Sequence, residues 1–192
     1  MKKMGFLLAV VLIAGLLIIA GCQSSRAGYE SAPYQVIRSE GKFELRDYPA
    51  MTVVETTMAG ENGDGSFGRL FGFITGRNAS QQKIAMTTPV FMADGESTRT
   101  MAFVMPASMK KSAVPKPADG SVVVREVPAG RFAVLRFSGG RSAAREKEYL
   151  GRLKAWMSGQ GLKTSESPIY GYFDPPWTPT FFRRNEVMLR VD

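Results

Sequence analysis

The chain carries one junction twice. Arg46-Asp47-Tyr48-Pro49-Ala50 and Arg125-Glu126-Val127-Pro128-Ala129 lie 79 positions apart, and each opens the same order of elements. Both copies end a β-prone run at proline, which fixes φ and has no N–H for a ladder. A second β-prone run follows, then a glycine-containing loop, a helical pattern and two more extended runs. In the first copy the runs fall at 43–48, 51–58, 66–75, 83–92 and 101–105. In the second they fall at 121–127, 132–138, 142–158, 168–173 and 186–191. One further extended run, 35–39, precedes them across the turn signal Glu40-Gly41. Two strand-strand-helix-strand-strand repeats predict an α+β domain, with the halves paired as a pseudo-twofold distorted antiparallel β-barrel and two flanking helices.

The helical patterns are specific. Phe67, Leu70, Phe71 and Ile74 recur at i, i+3, i+4 and i+7, with Ser66 placed to cap the start and Gly76 to end the helix. In the second copy Ser142 precedes a face of Tyr149, Leu150, Leu153, Trp156 and Met157, and Gly159 or Gly161 closes it. Between 83 and 92 the chain reads as two extended pieces broken at Pro89, which also pushes Thr88 toward extended backbone. Such a break is either a kink in a core strand or the place where a sheet opens beside an apolar cleft.

That stretch, Lys83-Ile84-Ala85-Met86-Thr87-Thr88-Pro89-Val90-Phe91-Met92, resembles the signature segment of the SOUL/heme-binding-protein family. The resemblance continues through Phe67 to Gly76, Met101-Ala102-Phe103-Val104-Met105-Pro106, Asp174-Pro175-Pro176-Trp177-Thr178-Pro179 and Arg183-Arg184-Asn185-Glu186-Val187. It implies the pseudo-twofold barrel that this family shares with effector-binding domains of multidrug-responsive regulators. It also implies heme or another tetrapyrrole as ligand. Carried over from the cleft proposed beside the first helix in vertebrate relatives, the site is Leu70, Phe71 and Ile74, beside Met86. Arg69 and Arg77 are the nearby cations for propionates. The histidine proposed as an iron ligand in some relatives has no counterpart, because the chain contains no His. Met or Tyr would be left for the iron.

The absence of His excludes Ser-His-Asp and Cys-His catalysis outright. A single Cys excludes an intrachain disulfide. Asp47, Glu55 and Glu186 are isolated carboxylates, so neither paired acid–base work nor a metal cluster is expected. Glu186 precedes Val187, Met188 and Leu189 in an apolar strand and needs a partner there. Arg183 or Arg184 could supply it; otherwise the carboxylate faces a cavity and receives a cationic ligand. The 11 Met serve adaptable packing or a deformable pocket wall. Aromatics around Pro175-Pro176 form either a binding lip or a plug. The net charge of +8 is scattered without a basic block, so nucleic acid is not an expected partner. The expected function is non-catalytic binding of a small hydrophobic anionic ligand. The alternative is a structural or interaction protein of the cell envelope with no bound ligand.

Residues 1–21 read as a signal peptide: Lys2 and Lys3, then an apolar run too short to span with its flanks. The run ends Ile19-Ala20-Gly21-Cys22, which resembles the lipobox of bacterial lipoproteins and implies lipid attachment at Cys22. Gln23, in place of Asp, implies transfer to the outer membrane, facing the periplasm. Residues 22–33 are small and polar and read as a lipidated tether. The ligand-binding domain is expected over 34–192.

Overall fold

The computed structural model describes residues 28–58, 65–95 and 98–192. The expected signal peptide and Cys22 lie outside the described residues. Among the described residues, eleven strands and two α-helices are assigned: β1 (Glu30–Ser31), β2 (Gln35–Glu40), β3 (Phe43–Tyr48), β4 (Met51–Met58), α1 (Ser66–Ile74), β5 (Thr87–Thr88), β6 (Val90–Asp94), β7 (Arg99–Val104), β8 (Val123–Val127), β9 (Gly130–Phe137), α2 (Ala143–Gly159), β10 (Ile169–Tyr172) and β11 (Asn185–Arg190).

Nine strands form one antiparallel sheet in the order β2-β3-β9-β11-β10-β6-β7-β4-β8. The order is palindromic about β10-β6 once β2 is set aside, so the duplicated element order is a real structural repeat. The repeat extends to register: Arg46 sits opposite Phe132, and Arg125 opposite Val53, each partner moved by the same 79 positions. Each half lends its first strand to the other, since β3 pairs with β9 and β8 with β4.

The expected closed barrel is not formed. The ladder ends at β2 and β8, which do not pair with each other. Every residue of β2 is exposed, and every residue of β8 is exposed or half-buried. No buried face drives the two edges together, and Arg38, Glu40, Arg125 and Glu126 place charge on them. The sheet nevertheless curls strongly. β3 and β4 stand far apart in the ladder, yet only Pro49 and Ala50 separate them in sequence. Two residues span under about 11 Å even when extended, so these strand ends must meet in space. Pro128 and Ala129 impose the same on β8 and β9.

Alternation along the strands divides the core into three clusters. On one side of the first half, Val54, Met101 and Phe103 pack against Leu70, Phe73 and Ile74 of α1. In the second half, Ala133, Leu135, Val187 and Leu189 pack against Leu153 and Met157 of α2. Inside the curl, Tyr48, Met51, Val53, Phe91, Phe132 and Met188 form the third cluster. Each buried aliphatic or aromatic side chain contributes roughly 1.5–3 kcal/mol relative to exposure.

Local readings differ in three places. The N-cap of α1 is Gly65 at φ 82°, a left-handed position that suits glycine, rather than Ser66. The Ser66 hydroxyl is buried, 3.8 Å from the Met101 sulfur. Ser142 does cap α2, accepting from the Arg145 N–H at 3.3 Å. The fold also begins before Tyr34. β1 runs parallel to β5, and the Ala32 N–H donates to the Thr88 carbonyl at 2.8 Å, so 30–32 are tied down rather than tether. The break at Pro89 separates β5 from β6, and the Thr87 hydroxyl donates to the Val104 carbonyl at 2.6 Å. Pro89 lies over Gly171, where any Cβ would sit 3.3 Å from its ring.

Candidate functional site

The expected site divides around α1. Leu70 and Ile74 are 0% and 3% exposed and face the core with Phe73. They do not line a cleft. Phe71 turns outward. It stacks on Phe67 one turn earlier, with ring centroids 5.8 Å apart and planes 15° from parallel. Both rings are 46% exposed, while Phe67 also abuts Phe103 edge-on at 5.2 Å. Met86 is half-buried against the cluster beneath the helix. The result is an aromatic platform on a rigidly seated helix.

The two cations lie elsewhere. Arg69 is two residues from Phe71, about 200° around the helix. Its guanidinium donates to the Thr56 hydroxyl at 3.0 Å and the Thr57 carbonyl at 2.7 Å. Arg77 folds back over Gly72, where an added Cβ would meet its Nε at 2.6 Å. Arg69 and Arg77 share a hollow of about 80 Å³ with Phe73, Asp119 and Val122. The Asp119 carboxyl is held below its ordinary range by hydrogen bonds from Ser121, with a smaller contribution from Arg77.

The interior of the curl holds a cavity of about 50 Å³, lined by Tyr48, Val53, Phe91, Phe132 and Met188 among others. Glu55 and Arg125, 2.8 Å apart, stand at its rim. Such a space takes one or two waters. Sites for drug-sized ligands run to about 300–1,000 Å³. A tetrapyrrole therefore does not fit inside the curl, and the region where the halves meet is packed.

Glu186 is fully buried and committed to two arginines. Arg46 grips it with two bonds of 2.8 and 3.0 Å, and Arg184 donates to it at 2.6 and 3.0 Å. Arg183 does not reach it, donating instead to the Thr178 carbonyl at 2.8 Å. Burial pushes the Glu186 carboxyl up, but the Arg46 and Arg184 guanidinia outweigh this and hold it below the usual range. Arg46 also binds Glu44 at 2.6 Å and the Tyr48 hydroxyl at 3.0 Å, and lies 4.1 Å from the Tyr34 ring centroid. The open choice in the sequence resolves to a structural ion pair. Arg46, its principal partner, was missed; its place in the duplicated junction was the available signal.

A second network centres on Glu146 of α2, which accepts from Arg99 at 2.7 Å and from the Tyr172 hydroxyl. Among the described residues no group of three or more His, Cys, Asp or Glu could hold a metal ion.

The profile of the SOUL heme-binding protein family matches residues 29–190. Heme-binding protein 2 from Mus musculus is 28% identical over 171 residues, covering 82% of each chain. Its Homo sapiens counterpart matches to the same extent. Among solved structures, the EcmrR C-terminal domain superposes with a TM-score of 0.59 at 14% identity, covering 83% of this chain and 98% of that one. A hydrolase from Listeria innocua gives 0.60 at 11% identity, covering 81% and 94%. At these identities the two structures establish likeness of fold alone.

Proposed function

We propose, for a chain that belongs to the SOUL heme-binding protein family, a non-catalytic role in binding heme or a related hydrophobic, anionic tetrapyrrole on the outer face of α1. One observation carries the reading: Phe71, one of the residues to which the resemblance points, stacks nearly parallel on Phe67, and both rings are half-exposed. A flat ring laid on that face buries apolar area on both partners, at about 25 cal/mol per Å² before the costs of association. With no His in the chain, ring burial rather than imidazole ligation supplies the affinity. Lipid attachment at Cys22, after a charged and apolar leader, would hold the domain in the bacterial cell envelope, at the outer membrane facing the periplasm.

An absorbance titration with hemin, comparing the parent chain with Phe71→Ser, tests the ligand. Loss of binding in a variant of unchanged thermal stability supports it; equal binding by both overturns it. The packed interior favours a second reading, an envelope interaction protein without a ligand, and failure of the parent to bind any tetrapyrrole selects that reading. Labelled fatty acid entering the parent but not Cys22→Ser supports the anchor, and equal labelling of both rejects it.

A further inference from the structure

The surface least accounted for by packing is the turn from Pro175 to Phe182. Trp177, Phe181 and Phe182 are 78%, 68% and 63% exposed. Aromatic area left in water is unfavourable in proportion to its extent. The turn is not slack. The Thr178 N–H donates to the Pro175 carbonyl at 3.0 Å and the Phe182 N–H to the Pro179 carbonyl at 2.9 Å. The Arg183 guanidinium donates inward to the Pro176 and Thr178 carbonyls. Three prolines fix φ at 175, 176 and 179. The rings are therefore held outward by bracing. Beside them, an open hollow of about 320 Å³ is walled by Phe182 together with Lys42, Arg136 and Arg183.

We infer that this turn docks the domain on an anionic lipid bilayer, with Trp177 and Phe181 entering the boundary between headgroups and acyl chains and Lys42 and Arg136 meeting the phosphates. Charge complementarity selects this occupant: Lys42 and Arg136 flank the protruding rings, Arg136 half-exposed while also paired with the buried Glu44 carboxylate, and the chain without Lys2 and Lys3 of the leader still has 23 basic against 17 acidic residues. Tryptophan is the side chain most at home at that boundary, since it is apolar with one polar N–H. Anionic leaflets attract basic surface within a Debye length. The inference shares no residue with the Phe67–Phe71 platform and stands whether or not a tetrapyrrole binds there.

The chain has two Trp, which makes the test direct. Trp156 stacks on Phe43 at 5.2 Å, so full-length Trp156→Phe keeps the stack and leaves Trp177 as the only emitter. Vesicles of phosphatidylcholine with phosphatidylglycerol, carrying brominated acyl chains, should blue-shift and quench Trp177. Pure phosphatidylcholine vesicles should do so less. Phe181→Ser and Lys42→Glu, each in the same background, should weaken the quenching about tenfold in lipid concentration. Added salt should weaken it as well. Unquenched Trp177 emission on vesicles that hold the protein overturns the inference. Quenching unchanged by Phe181→Ser also overturns it. Emission that responds to hemin but not to vesicles makes the turn a ligand lip and overturns it as well.

Discussion

Arg46 and Glu186, 140 positions apart in sequence, hold each other through two hydrogen bonds with both side chains shut off from solvent. The pair joins the first half of the chain to its last strand. Replacing one partner leaves the other charged in a buried site, which costs about 3–5 kcal/mol. Arg46→Ala should therefore lower the urea midpoint of unfolding by that equivalent at unchanged slope. A loss under about 1 kcal/mol would mean that Arg184 alone satisfies Glu186.

Glu186 also sets an acid limit. Its folded pKa lies below the ordinary value of 4.5. A depressed carboxylate contributes stability that is present above about pH 4.5 and is lost as pH falls through the folded pKa. Urea midpoints should hold steady from neutral pH toward 5 and then decline. In Glu186→Gln, less stable at neutral pH, the decline below 4.5 should be shallower; an identical slope would assign the acid limit to other groups.

At alkaline pH three tyrosines should resist ionisation. Burial pushes Tyr170 up to about 12 and raises Tyr48 and Tyr172 as well, with Glu146 adding to the Tyr172 shift. Because the folded state keeps these protons longer than the unfolded chain does, stability falls as pH rises past about 10. Near-ultraviolet titration should therefore show some of the six tyrosines ionising only as the domain unfolds. A single smooth titration of all six near pH 10 in a folded sample would contradict this.

The two faces of α1 should separate stability from binding. Ile74→Glu forces a carboxylate into the core and should cost about 3–5 kcal/mol or unfold the domain. Phe71→Ser should change stability by about 1 kcal/mol or less, yet weaken tetrapyrrole binding about tenfold, or 1.4 kcal/mol. Thermal melts and hemin titrations on both variants decide the matter. A well-folded Ile74→Glu that loses binding would restore the buried residues to the site.

Metal-free protoporphyrin should compete within about tenfold of hemin, since no imidazole is available to the iron. A hemin preference of a hundredfold or more would reveal ligation by Met or Tyr.

The fold was largely legible, because periodicity and repetition are local. The duplicated junction gave the halves, and the i, i+3, i+4 spacing gave both helices. Two kinds of information were absent from that pattern. Whether a curled sheet closes depends on its outermost strands, and the exposed edges of β2 and β8 could not be weighed before their neighbours were known. The helix stripe also merged two faces: Phe67 and Phe71 recur with the same spacing as Leu70 and Ile74, but only the latter pair turns inward. Arg46 escaped notice because its partner lies 140 positions away.

The exchange of first strands between the halves makes each half an incomplete object. Alone, residues before the 106–122 connection would leave β3 without β9 and β4 without β8. A chain severed in that connection should yield two fragments that are each largely unstructured and that recover the native fold when mixed. Growth of the first half during synthesis would then give no independently folded intermediate. The sheet can be completed only after β11, at the far end of the chain, has emerged.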